Sequence, residues 1–312
     1  MKSSGIGGQA VIEGVMMKNN DVYATAVRKP NNEIVVEKNT YVSATKKYPI
    51  FKLPILRGML ALVESMSIGM KTLTYSASFY EEEEEKKPGK VENMLHKIFK
   101  EKTEDMFMGF TVFISIIMAI AIFIILPYFI SYIFESFIQS DTLLAIIEGI
   151  IRITIFVAYV LAISQMNDIK RVFMYHGAEH KTINCIENGL DLTVENVRWQ
   201  TKHHKRCGTS FMLIVMFISV IFFIFIRVET VWLRVIVRLL LIPVIAGVAY
   251  EFIKFAGRSD SKIMNTLSKP GMWLQSLTTK EPTDDMIEVA IMSVESVFDW
   301  RKYLEENKDD IS

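Results

Sequence analysis

Residues 174–210 open with Met174-Tyr175-His176-Gly177-Ala178-Glu179-His180-Lys181-Thr182-Ile183 and close with Lys202-His203-His204-Lys205-Arg206-Cys207-Gly208-Thr209-Ser210. Four of the five histidines and both cysteines, Cys185 and Cys207, fall inside this stretch. On either side the sequence turns almost wholly apolar. A polar, ligand-rich loop strung between hydrophobic segments predicts a site presented at a membrane surface.

Four long apolar runs carry that reading. Phe107–Phe134 and Leu143–Met166 are separated by a short polar break, Glu135–Asp141, while Ser210–Ile226 and Val231–Ala256 are separated by Arg227–Thr230. Each is long enough to cross a hydrocarbon core of ~30 Å, the third only narrowly. Helices satisfy their own backbone groups in lipid, so the predicted fold is a polytopic α-helical membrane protein. Its four transmembrane helices form two hairpins, residues 107–166 and 210–256, joined to a small α+β cytosolic domain. The hydrophobic fraction of 51% agrees, being high for a soluble chain. Thirty-five basic residues balance thirty-five acidic ones, so no overall field points to a nucleic acid partner. Two cysteines cannot build a disulfide framework and are expected as free thiols or metal ligands. The first residues lack the apolar core of a signal peptide, so insertion is expected to use the internal runs.

Orientation follows from the basic residues. The two hairpin turns contain one, Arg227, whereas the central loop carries Lys170, Arg171, Lys181, Arg198, Lys202, Lys205 and Arg206. The positive-inside bias places both termini and the histidine loop, residues 167–209, on the cytoplasmic side of the cell (inner) membrane. Within the runs, Glu148 and Arg152 lie four apart on the second, and Arg234 and Arg238 at similar depth on the fourth. Ionisable groups there are costly unless paired. They form either a functional cluster or a Glu–Arg clasp between the hairpins, and the clasp is favoured because all four lie near the outer ends.

The flanks read as follows. Residues 1–49 form a cytosolic β-element with strands at Val11–Met17, Val22–Arg28 and Glu33–Lys38 and a turn at Pro30-Asn31-Asn32. Its glycines Gly5, Gly7, Gly8 and Gly14 permit close backbone approach but do not make a phosphate-binding fingerprint. Residues 50–80 form an amphipathic helix that lies on the membrane or packs in the soluble part. Residues 81–106 are a charged linker. In residues 257–312, Pro270-Gly271 and Lys280-Glu281-Pro282 mark turns. Thr283-Asp284-Asp285 then opens an amphipathic helix expected to pack on the β-element.

Asp168–Glu187 reads as a helix continuing the second run and stopping near Asn188-Gly189. His176, Glu179 and His180 then share one face. The order His-x-x-Glu-His is the inverted zincin pattern, in which two imidazoles one turn apart hold a metal and the carboxylate acts as base. Glu187 lies seven residues beyond His180 and is placed to orient an imidazole or serve as a distant ligand. Thr193 caps a second helix of about a dozen residues, whose end delivers His203, His204 and Cys207. A catalytic zinc takes three protein ligands and keeps one open position. His176 and His180 with either His204 or Cys207 meet that number, and nitrogen and sulfur donors favour zinc or iron over magnesium or calcium. Competing readings are a basic patch, His203 to Arg206, for anionic lipid; a purely structural metal; and Cys207 as a nucleophile activated by Arg206.

The expected function is a metal-dependent hydrolase at the cytoplasmic face, with Glu179 as base. A reading from another class is a non-catalytic membrane scaffold or assembly factor holding lipid headgroups, a membrane-protein partner or a second copy of the chain. A transporter is disfavoured, since four spans without internal repeats or broken helices offer little of a pathway.

Several longer motifs carry a resemblance. Gly7 to Met17, Tyr175 to Ile183, Leu192 to Val197, Arg206 to Phe211 and Leu277 to Pro282 resemble the YqhQ-like bacterial membrane proteins, a family of unknown function described as metal-dependent enzymes. The resemblance covers nearly the whole chain and implies a membrane location and a metal, without supplying a substrate. The family's pattern before the cysteine is similar to His-Pro-Arg-Cys-Gly-Thr. Here it is His204-Lys205-Arg206-Cys207, so the histidine is kept and the proline that would stiffen the turn is not.

Overall fold

The computed structural model describes residues 4–80, 103–204, 207–225, 228, 230–256 and 261–307. Most of the expected charged linker, and the basic residues Lys205, Arg206 and Arg227, lie outside the described residues.

The N-terminal region is an antiparallel meander of β1 (Ile6–Val11), β2 (Gly14–Asn19), β3 (Val22–Arg28) and β4 (Ile34–Thr40) in sequential order. The expectation of one strand over Val11–Met17 is corrected. The chain reverses at Ile12-Glu13, with Glu13 at φ +48° and Val11 paired to Gly14. Gly14 is required there because a Cβ would lie 2.3 Å from the Ala26 carbonyl oxygen. Val15, Met17 and Ala26 on one face pack with Ile287, Ala290 and Val294 of the helix Asp284–Val297, and with Tyr175, Ala178 and Ile186 of the helix Asn167–Glu187. This is the main core, and it backs the histidine helix with a sheet.

Helix α1 (Ala44–Lys47) and a 3-10 turn, Pro49–Lys52, lead into α2 (Leu56–Ala77). This helix is a strut. At one end Gly58 presses on Gly247 and Tyr250 of the last apolar helix, and Arg57 pairs with Glu251. At the other, Gly69 lies on Gln9 and the Ser76 hydroxyl accepts from the Ile12 amide. Its far side leaves Val63, Met66, Met70 and Leu73 exposed.

Four helices are long and apolar enough to cross a membrane: Gly109–Tyr132, Asp141–Ile163, Gly208–Phe225 and Trp232–Ala256. Each packs on the next in sequence. The first contains a π turn at Ala121–Ile125 followed by Pro127. Their outer sides show bare Phe, Ile, Leu and Met, among them Phe113, Ile117, Ile150, Phe217 and Leu240. A buried ion cluster ties three of them together. Glu148 accepts from Arg152 at 2.6 Å and from Arg238 at 2.8 Å, and Arg152 also donates to Ser219 at 2.6 Å. Arg234, one turn closer to its helix start, does not join. It donates to the Val228 carbonyl and lies over the Tyr128 ring.

Two expectations about helix ends need correction. The histidine helix does not continue the second apolar helix, because the chain breaks at Ser164–Met166 before restarting at Asn167. Pro270-Gly271 is not a turn but lies inside the helix Lys262–Thr278, which packs on the third apolar helix. Gly271 there sits so close to Ser210 that an added Cβ would lie 2.8 Å from it, a packing demand that overrides the local breaker signal.

Candidate metal centre

The helix Asn167–Glu187 carries His176 and His180 one turn apart, and Gly189 at φ +78° ends it. The return segment is organised by that helix's own polar side chains. Thr193 caps as expected, its hydroxyl accepting from the Asn196 amide at 3.2 Å. The following helix is only Val194–Arg198, not a dozen residues. Lys181 takes the Arg198 carbonyl at 2.8 Å, Asn184 takes those of Thr201 and His203 at 2.7 and 3.0 Å, and His180 takes that of Lys202 at 2.7 Å. Carbonyls captured in this way are lost to any continuing helical ladder.

Both imidazoles are thereby oriented. His176 Nδ1 faces the Thr278 carbonyl oxygen at 2.9 Å, as His180 Nδ1 faces that of Lys202. A carbonyl only accepts, so each Nδ1 carries a hydrogen and, in the neutral ring, each Nε2 presents a lone pair. Those lone pairs meet Cys207, whose Sγ lies 3.3 Å from His176 Nε2. One ligand atom from each of His176, His180 and Cys207 lies within 4.8 Å of the others. Burial pushes the His180 pKa down, which favours the neutral ring that binds metals.

Of the two residues proposed as a third ligand, the cluster contains Cys207 and not His204. The His204 ring centroid is 5.7 Å from that of His180, and its Nε2 lies 3.5 Å from Glu187 Oε2. Gln275 clamps the His204 backbone, accepting from its amide at 2.9 Å and donating to its carbonyl at 2.7 Å. Glu187 therefore faces an imidazole, but that of His204, and its other oxygen accepts from the Ser4 amide and hydroxyl at 2.8 and 2.7 Å. His203 points away, toward the Ser276 hydroxyl.

Glu179 is buried on the flank of the helix. Burial raises its carboxyl to about 7, against the opposing influence of His176. The side chain lies against β1 and β2: a Cβ on Gly8 would come 2.8 Å from its Cγ and 2.8 Å from Met17 Sδ. Its oxygens are outside the compact three-atom group. Cys207 Sγ accepts from the Thr209 amide at 3.4 Å. Arg206, the expected activator of a Cys207 nucleophile, lies outside the described residues. Cys185 is a core thiol, donating to the Asp191 carbonyl at 3.5 Å and pushed up to about 12 by burial.

Sequence reasoning missed the groups that brace this site. Lys280-Glu281-Pro282 reads as a turn, yet the segment Leu277 to Pro282 docks along the histidine helix. Thr278 gives its carbonyl to His176, Glu281 pairs with Lys181 at 2.6 Å, and the Lys280 amide donates to the Phe173 carbonyl at 2.8 Å. Gly177 makes room for this, since a Cβ would lie 2.0 Å from the Lys280 carbonyl oxygen. The signal that could have found it was the glycine itself, placed between the two histidines of a helix that would otherwise favour alanine.

Four membrane-length helices carrying a sheet-backed histidine–cysteine cluster, placed where the third of them begins, define the class of protein. The chain belongs to the family described as "Protein of unknown function (DUF1385)", whose model matches residues 53–300. It is 34% identical over 305 residues to the uncharacterized protein YqhQ of Bacillus subtilis (strain 168), covering 97% of this chain and 95% of that one. This is the family that the motifs resembled. No solved structure matches.

Proposed function

We propose that the chain is a multi-pass protein of the cell membrane, with its apolar helices arranged as two hairpins and both termini cytoplasmic. We propose further that it acts as a metal-dependent hydrolase at the cytoplasmic face. The bare apolar sides of the four helices support the first part, as does the concentration of basic residues in the central loop.

One observation carries the second part. Two imidazoles whose Nδ1 groups are tied to backbone carbonyls turn their Nε2 atoms to a cysteine sulfur within a 4.8 Å group. The donor set fits zinc. Zinc–nitrogen and zinc–sulfur bonds of about 2.0 and 2.3 Å put tetrahedral neighbours about 3.5 Å apart, and His176 Nε2 and Cys207 Sγ lie 3.3 Å apart. Three protein ligands leave a fourth position for water or substrate. A zinc ion there supplies Lewis acidity. The chain supplies the rest: the carbonyls of Thr278 and Lys202 hold the ring orientations, and Glu179 takes and returns a proton at its carboxylate. Cys207 directly precedes the third apolar helix, so a substrate would meet this site at the membrane boundary.

Metal analysis of the purified protein tests the reading. About one zinc per chain is expected, lost in His176→Ala and in Cys207→Ser but retained in Glu179→Gln. Native membranes carrying wild type or Glu179→Gln are then compared by mass spectrometry for peptide and lipid products. Identical product profiles with zinc in place would refute a hydrolase and leave a structural metal in a scaffold.

A further inference from the structure

A second site lies away from the histidines, where the sheet, α2 and the last apolar helix meet. A cavity of about 600 Å³ is lined there by Lys18 of β2, Lys52, Arg57 of α2 and Lys254 of the last apolar helix, with Ser43, Thr45, Ser65 and Tyr250. The one carboxylate among its described lining residues, Glu64, is already engaged, as is Glu251, next in sequence to the lining residue Tyr250. Glu64 accepts from the Ser43 hydroxyl at 3.0 Å and the Ala44 amide at 2.8 Å, and Glu251 pairs with Arg57. Four cations against two carboxylates leave the cavity positive. Four hydroxyls, those of Ser43, Thr45, Ser65 and Tyr250, stand among the cations, and cations with hydroxyls are the donor set that phosphate oxygens use.

Its position narrows the ligand. Tyr250 and Lys254 lie in the final turns of the apolar helix Trp232–Ala256, and tyrosine and lysine at such an end mark the headgroup level of a bilayer. Close in sequence to lining residues, Ile50, Leu53, Val63 and Met66 are exposed, apolar side chains of the kind that acyl chains can meet. Lys18 is half buried and its pKa is lowered by that burial despite Glu64 and Asp21, so an anion beside it would relieve a cost already present in the fold. Asp21 is itself engaged by Lys46.

We propose that this cavity binds the phosphate of an anionic phospholipid headgroup and so fastens the cytosolic sheet and α2 to the inner leaflet. Basic pockets beside transmembrane helices on the cytoplasmic side recognise such headgroups. The inference rests on the membrane placement proposed above and is independent of the metal centre.

The test uses full-length protein reconstituted in nanodiscs of phosphatidylcholine with a minor fraction of phosphatidylglycerol, then extracted in mild detergent. Retained lipid is counted by mass spectrometry for wild type, Lys18→Gln/Lys52→Gln, Lys18→Arg/Lys52→Arg and the distant control Lys302→Gln. A basic residue near an anionic surface contributes about fivefold in affinity, so the double glutamine variant should lose retained phosphatidylglycerol by roughly thirtyfold. The arginine variant and the control should keep it. Equal retention in the glutamine variant, with an unchanged melting temperature, overturns the proposal. In a parallel arm inorganic phosphate is titrated against the detergent-solubilised protein. Saturable phosphate binding lost in the glutamine variant, without selective lipid retention, keeps the phosphate site but overturns the lipid as its source. Zinc content, measured on the same samples, should not change, which separates failure here from failure of the metal centre.

Discussion

Gly177→Ala is the substitution that most directly probes the bracing of the histidine pair. In an unconstrained helix interior this change gains up to about 1 kcal/mol. Here the new Cβ would lie 2.0 Å from the Lys280 carbonyl oxygen, a backbone atom that no rotamer change can move. To reach even 3.0 Å, the closest distance real Cβ atoms show, the segment after Thr278 must retreat by about 1 Å. A retreat of that size takes the 2.9 Å contact between His176 Nδ1 and the Thr278 carbonyl, and the 2.8 Å bond from the Lys280 amide to Phe173, out of hydrogen-bonding range. Overpacking costs about 1–3 kcal/mol and each lost neutral hydrogen bond about 1 kcal/mol. After the propensity gain the net destabilisation is about 2–4 kcal/mol. Freed of its carbonyl partner, His176 should bind zinc about 10–100-fold more weakly. Thermal melting of the chelator-stripped protein in detergent, followed by zinc titration against a competing chelator, measures both. An alanine variant as stable as wild type, with the same zinc affinity, would refute the claim that Leu277 to Pro282 is a rigid support.

Other perturbations should separate the parts of the molecule. Gly8→Ala pushes on the Glu179 Cγ and Cδ and on Met17 Sδ, side-chain rather than backbone atoms, so it should shift the Glu179 carboxylate and reduce turnover in the membrane-product assay while leaving zinc content near one per chain. Glu148→Gln leaves the buried Arg152 and Arg238 without their shared carboxylate and should cost about 3–5 kcal/mol in detergent melts. Arg234→Gln, which gives up the bond to the Val228 carbonyl and the contact with the Tyr128 ring, should cost well under half of that. Alkylation distinguishes the thiols. The Cys185 thiol is pushed up to about 12, so its reactive thiolate is scarce below that pH and its modification should stay slow from pH 7 to 10. Cys207 should react in chelator-treated protein and be protected when zinc is restored, and equal reactivity of both cysteines in chelator-treated protein would contradict this assignment.

What the sequence disclosed and what it hid divide along physical lines. The apolar runs were legible because crossing lipid demands about twenty apolar residues in a row, a signal no tertiary contact can mask. His176 and His180 were legible as neighbours one turn apart because their spacing alone puts them there, whereas the packing of Glu179 against β1 and β2 was not. The choice between His204 and Cys207 was not, since it depends on where Gln275, some seventy residues further on, clamps the return segment. The length of the helix after Thr193 was overestimated for a related reason. Its carbonyls are taken by Lys181, Asn184 and His180 from across the fold, which no local propensity records. The readings at Gly14 and Pro270 erred in opposite directions: a two-residue reversal was read through as strand, and a continuous helix that packs on Ser210 was read as broken.

The carboxylate shared between Arg152 and Arg238 also bears on how a chain inserted as proposed above would assemble. A ribosome that has made only the first two apolar helices has delivered Glu148 and Arg152 as a self-neutralising pair within one helix. Arg238 comes later in the chain and on another helix, so under the membrane placement proposed above its charge would be neutralised only once that helix docks on the one carrying Glu148.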